Sequence, residues 1–165
     1  MKKTLKLLSV IMIAVLALSM VGCKAEKKRK TKKREKVSIE EIQKNTGDML
    51  VISCSPQFPM TQEEYDASSY TMRVTYDGYV YIPNPVNSNG LKMKDDDFLK
   101  LYYFCTGNAE HSDFEGYSED VCDGETYSFI YYDLEGGRHV IYAGYCYAND
   151  ELQDILKTVS SYQVD

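Results

Sequence analysis

Tyr70-Thr-Met-Arg-Val-Thr-Tyr76-Asp77-Gly78-Tyr79-Val-Tyr-Ile82 is the stretch that decides the fold. Side chains alternate along a strand with period two, and Met72 and Val74 alternate here with Thr71, Arg73 and Thr75. Asp77-Gly78 between two such runs predicts a hairpin closed by a type I′ turn, whose two central residues need positive φ. A hairpin commits the chain to an antiparallel sheet. The flanking sequence then has to supply the remaining strands and a cover for one face.

Upstream, Met49–Ser53 reads as a strand, followed by a loop from Pro56 and Pro59 to about Ser68. Ahead of it, Ser38 and Glu41 form a capping-box pattern with Val37 and Ile42 at the staple positions, which predicts a short first helix ended by Gly47. Downstream, Pro83, Pro85 and Asn-Ser-Asn-Gly90 mark a loop. Asp95-Asp96-Asp97 then opens a helix with Phe98, Leu101, Tyr102 and Cys105 on one stripe, the three carboxylates sitting at the positive end of the helix dipole. Residues 106–124 read as a polar surface loop. Two further strands, Glu125–Asp133 and Arg138–Tyr147, join through Leu134-Glu-Gly-Gly137. A last helix opens at Asn149 or Asp150 and buries Leu152, Ile155, Leu156, Val159 and Tyr162. The expected architecture is α+β: an antiparallel sheet of about five strands with two to three helices packed on one face.

This body, residues 37–165, is long enough to be a single domain with its own core. It is strongly acidic, with 7 basic against 23 acidic residues, and it holds all 15 tyrosines of the chain. Tyrosine buries a ring while keeping its hydroxyl wet, so it suits half-exposed sheet faces and binding surfaces. The acidity argues against a nucleic-acid partner, which needs clustered Lys and Arg.

The N-terminal end has a different character. Lys2, Lys3 and Lys6 precede an apolar run from Leu7 to Val21, interrupted only by Ser9 and Ser19. That run is short for a bilayer span, which needs about 20 apolar residues, and fits the core of a secretory signal over residues 1–22. Met20-Val21-Gly22-Cys23 resembles a bacterial lipobox, with methionine where leucine is usual. The resemblance implies a diacylglyceryl thioether on Cys23 and cleavage before it, leaving an extracytoplasmic protein on the cell membrane. Two acyl chains suffice for stable anchoring.

Residues 23–36 then form a lipidated cysteine and basic linker. Nine of residues 24–36 are Lys or Arg against two Glu, suited to anionic lipid or a wall polymer at about 1 kcal/mol per cation near an anionic surface. The same cluster suggests an alternative: by the positive-inside rule, an uncleaved reverse anchor would keep the domain in the cytoplasm.

Four cysteines remain: Cys54, Cys105, Cys122 and Cys146. In an exported domain they are candidates for two disulfides, with Cys105–Cys122 bracketing one loop and Cys54–Cys146 as neighbours in the sheet. The first would contribute about 3 kcal/mol by loop entropy. The other possibility is four free thiols.

Catalytic and cofactor motifs are absent from the sequence. There is no Cys-x-x-Cys, and His111 and His139 are the only histidines. The acidic loop Asp113–Gly124 lacks the ligand spacing of a calcium hand. His139 and Cys146 fall on opposite faces of one strand by parity. A buried His139 beside a thiol would favour chemistry, whereas exposed clustered tyrosines would favour binding.

The segment Asp123-Gly124-Glu125-Thr-Tyr127-Ser-Phe129 through Gly136-Gly137-Arg138-His-Val-Ile-Tyr142-Ala-Gly144 is similar to small uncharacterised lipoproteins of Gram-positive gut and soil anaerobes. These share the order of signal, lipobox, charged tether and Tyr-rich α+β domain. The resemblance assigns a role to Cys23 alone. It leaves a non-enzymatic binding or interaction module as the expectation, with an unidentified protein or peptide partner, no cofactor and no metal, and a cell-surface hydrolase as the alternative.

Overall fold

The computed structural model describes residues 37–58, 60–83 and 89–163. Cys23, the signal segment and the basic linker therefore lie outside the described residues. Among those described, no helix is long and apolar enough to cross a membrane.

Six strands form one antiparallel sheet in the order β4-β3-β2-β1-β5-β6. They are β1 (Asp48–Pro56), β2 (Tyr70–Thr75), β3 (Tyr79–Tyr81), β4 (Leu91–Lys92), β5 (Glu125–Tyr132) and β6 (Arg138–Gly144). Among the described residues four helices accompany them: α1 (Ile39–Ile42), α2 (Gln62–Ser68), α3 (Asp95–Gly107) and α4 (Asp150–Ser160). The α+β class is as expected.

The strand β1 sits at the centre and reads both neighbours in register. Leu50, Ile52 and Cys54 face Val74, Met72 and Tyr70 on one side and Tyr131, Phe129 and Tyr127 on the other. Of these, Leu50, Ile52, Met72, Val74, Phe129 and Tyr131 join Phe98, Leu101 and Phe104 of α3 and Leu152, Ile155 and Val159 of α4 in a single core, in which Phe98 and Phe129 are 0% exposed. Burying such a side chain stabilises by about 1.5–3 kcal/mol. The stripes expected for both long helices are the ones buried, with Tyr102 and Tyr162 packed at the margin.

Several local expectations are corrected. The Tyr76–Gly78 connection is no type I′ turn, because within it Gly78 alone takes positive φ, at 81°, and no non-glycine among the described residues does. Three residues span from Thr75 to Tyr79, with the Gly78 N–H bonded to the Thr75 carbonyl at 2.9 Å, which fits the three-residue hairpin with a left-handed glycine. Tyr76 consequently leaves the ladder and turns its ring into the core at 2% exposure.

Ser38 makes no capping bond to its helix; its hydroxyl goes to Glu40 instead. The reciprocal capping box forms at Thr61 and Glu64, opening a helix, α2, inside the stretch expected to be a loop. The short β4 is likewise additional, made by pairing of Leu91 and Lys92 with Val80 and Tyr79.

The 106–124 segment is less superficial than its composition suggests. Asn108 is buried: its Nδ2 donates to the Phe104 carbonyl and its Oδ1 accepts from the Asp113 N–H. This pins the loop so that Phe114 packs at 6.0 Å from Phe104 and 6.1 Å from Tyr142, ring to ring.

Candidate functional site

Three places on the domain collect side chains able to do chemistry or recognition: the two ends of the sheet and its uncovered face.

At one end, the β5–β6 turn holds Asp133 against His139, Oδ2 to Nε2 at 2.7 Å. Asp133 Oδ1 also accepts the N–H groups of Glu135 and Gly137, and these bonds, His139 foremost, hold its carboxyl below the usual carboxylate range. A side chain on Gly137 would press on that carboxylate and displace it from His139.

A β-bulge between Phe129 and Ile130 breaks the simple alternation of β6 and sets His139 opposite Tyr131, on which its ring stacks at 5.5 Å. The parity argument separating His139 from Cys146 thus does not apply, since β6 ends at Gly144. His139 partners a carboxylate rather than a thiol. Beside it opens a shallow cavity of about 540 Å³ lined by Lys44, Asp48, Tyr76, Tyr132 and Asp133. The Tyr76 hydroxyl is committed to the Tyr132 carbonyl at 2.7 Å and lies 3.2 Å from the Tyr131 hydroxyl. Burial pushes its ionisation well above the phenol range, which leaves it a poor nucleophile.

At the opposite end, Cys54, Tyr70 and Tyr127 come together beneath α4. The Tyr127 hydroxyl donates to Glu125 at 2.6 Å. Burial is the first cause raising Tyr70 to about 12 and lifting the Cys54 thiol. A second cavity of about 530 Å³ runs between these tyrosines and Gln153, Asp154 and Lys157. Gln153 reaches the Cys146 carbonyl at 2.9 Å and its sulfur at 3.7 Å. Desolvation raises Cys146 to about 11, which suppresses thiolate reactivity.

All four described cysteines are free, so the expected Cys105–Cys122 and Cys54–Cys146 pairs are not formed. Cys105 lies on the buried stripe of α3, and Cys122 is exposed. The Cys105 thiol, wholly enclosed, is raised far above its ordinary range by burial alone. Among the described residues no group of three or more His, Cys, Asp and Glu is arranged to hold a metal. In the acidic loop, Glu119 instead accepts the N–H groups of Tyr147 and Ala148, both at 2.9 Å, and the Tyr117 hydroxyl at 2.5 Å.

The third place is the sheet face turned away from the helices. Alternation on the ladder directs Val51, Ser53 and Ser55 of β1 to this side, with Thr71 and Arg73 of β2 and Thr126, Ser128, Ile130 and Tyr132 of β5. Tyr79, Tyr81, Lys92, Arg138, Val140 and Ala143 extend it to both edges. None of these residues is buried, and Val140 is 49% exposed. Ser53 and Thr71 share a hydroxyl contact at 3.2 Å. The Arg73 guanidinium lies 5.1 Å from the Tyr81 ring centroid and Lys92 Nζ lies 5.2 Å from that of Tyr79, both within cation–π range.

No protein-family model, no curated protein and no solved structure matches the chain. Function therefore has to be argued from these three places. The two ends are largely self-satisfied, their polar groups bonded to one another. The open face sets tyrosines, cations and hydroxyls side by side at outward strand positions, with Arg73 paired to Asp48 and Lys92 donating to the Asp77 carbonyl and to Gln43.

Proposed function

We propose that the chain is a lipid-anchored extracytoplasmic binding module, tethered to the cell membrane through Cys23 and using the open sheet face as its docking surface. The observation that carries the reading is that the sheet sets tyrosines, cations and hydroxyls on the face that neither long helix packs against, while the opposite face is sealed by those two helices. Such a face gives a partner rigid aromatic area at low ordering cost. The lipobox at Met20–Cys23 supports the tether, and the basic residues 24–36 suit contact with anionic headgroups or wall polymers around it.

The Cys23→Ala variant tests the anchor. It is expected to appear in the soluble and medium fractions, where the native chain partitions into detergent. A variant that stays firmly in the membrane would overturn the lipid at Cys23 as the essential tether.

A further inference from the structure

Charge on the body is unevenly placed. The domain holds 23 acidic and 7 basic residues, yet the outward strand positions of the open face carry Arg73, Lys92 and Arg138 against one acid, Asp48. Asp48 is itself paired to Arg73 at 3.5 Å. Each cation has a tyrosine beside it: Lys92 over Tyr79, its Nζ also donating to the Asp77 carbonyl and to Gln43 Oε1, Arg73 over Tyr81, and Arg138 opposite Tyr132 in the ladder.

These pairs are strung across the strands, on β4-β3, β2-β3 and β6-β5. At about 4.8 Å per strand, Lys92 and Arg73 stand about 10 Å apart and Arg73 and Arg138 about 14 Å apart across the sheet. Between them lie Val51 and Ile130, and alongside runs the hydroxyl row Thr71, Ser53 and Ser128.

We propose that this face binds an extended anionic glycan, a carboxylated or phosphodiester-linked saccharide chain laid across the strands over the three tyrosine–cation pairs. The proposal rests on the open face being the docking surface, as argued above. A saccharide ring offers a C–H face to tyrosine, hydroxyls to the Ser and Thr row, and a charge at intervals to Arg or Lys. Three spaced cations suit such sparse charge better than the dense phosphates of nucleic acid. The two long helices and the acids they carry lie behind the sheet, so a single strand on the face makes no contact with them. A broad anionic bilayer would instead also meet the acids at the rim, such as Asp77 and Glu135.

Binding is measured by calorimetry on the full-length chain in neutral detergent, with the nine tether bases replaced by Gln so that the tether contributes no charge. The probes are a decameric oligogalacturonate and a phosphomannan fragment. Arg73→Gln/Lys92→Gln/Arg138→Gln is compared with Lys44→Gln/Lys100→Gln/Lys157→Gln, which removes the same charge elsewhere. The face triple is expected to weaken binding of at least one probe by about tenfold or more and the control triple by less than about twofold. Equal losses in the two triples, or no binding of either probe by about 1 mM, would overturn the glycan assignment. Face-dependent binding of phosphatidylglycerol vesicles or of a single-stranded oligonucleotide, with neither glycan bound, would overturn it too, while keeping the face as a docking surface. Absence of face-dependent binding for every probe would remove both readings.

Discussion

Ile52 and Val51 are neighbours on β1, yet one is sealed at 1% exposure among the helices and the other stands on the open face. The same division runs through Met72 and Arg73 on β2 and through Phe129 and Ile130 on β5. The two sides differ in what a substitution disturbs. On the covered side a side chain is held by packed neighbours, and its loss leaves a cavity. On the open side water already meets the side chain, so its removal costs little stability and changes only what can dock. Fold and recognition thus occupy alternate residues of the same strands, and they separate experimentally.

The largest contrast is expected from truncating one residue on each side of β5. Phe129→Ala should lower unfolding stability by about 3–5 kcal/mol, by lost burial and a residual cavity. Ile130→Ala should lower it by only about 1–2 kcal/mol, since part of its side chain is already in water. Urea titration of the two variants checks this; equal losses would mean that the outer face is covered after all.

A second contrast comes from pH. Burial on the covered side holds Cys105, Cys146 and Tyr70 neutral, with Cys146 raised to about 11 and Tyr70 to about 12. In the unfolded chain these groups ionise at their ordinary values, near 8.5 for thiols and 10 for phenols. Their folded values are higher, so the stability they contribute is complete below about pH 8.5 and is lost as pH rises. The urea midpoint should therefore hold steady from pH 7 to about 8.5 and then fall. A midpoint level up to about pH 11 would contradict the burial of these groups.

The smallest effect belongs to the open face. Arg73 is half-exposed and its ion pair to Asp48 is long, so Arg73→Gln should shift stability by less than about 0.5 kcal/mol. A loss several times larger, read in the same titration, would make Arg73 a structural residue and weaken its assignment to docking.

Much of the covered side was legible in the sequence because period and punctuation recorded it. Phe98, Leu101 and Cys105 repeat at helical spacing, and Met72 and Val74 alternate around the Asp77-Gly78 turn. The α2 capping box was also written, as Thr61 followed by Glu64, but Pro56 and Pro59 nearby pointed to a loop. At Ser38 the same pattern was present and the cap did not form, because the helix has only four residues and Ser38 turns to Glu40.

Other features depend on strand pairing, which local sequence does not carry. The bulge at Phe129/Ile130 decides that His139 faces Tyr131, and β4 exists only through its partner β3. The sequence left the thiols open between two disulfides and four free cysteines; in the structure they are free, with Cys105 on the buried stripe of α3 and Cys122 exposed. The open face was legible only as an excess of tyrosine; which tyrosines stand beside a cation followed from register.

The most direct test of the account is the intact mass of the native protein extracted from membranes after intact cells have been treated with a membrane-impermeant maleimide. The account predicts a chain beginning at Cys23, carrying a diacylglyceryl group and one maleimide, placed at Cys122, the one exposed thiol among the described cysteines. A mass that retains residues 1–22 and carries no maleimide would contradict it, since the domain and its open face would then lie inside the cell.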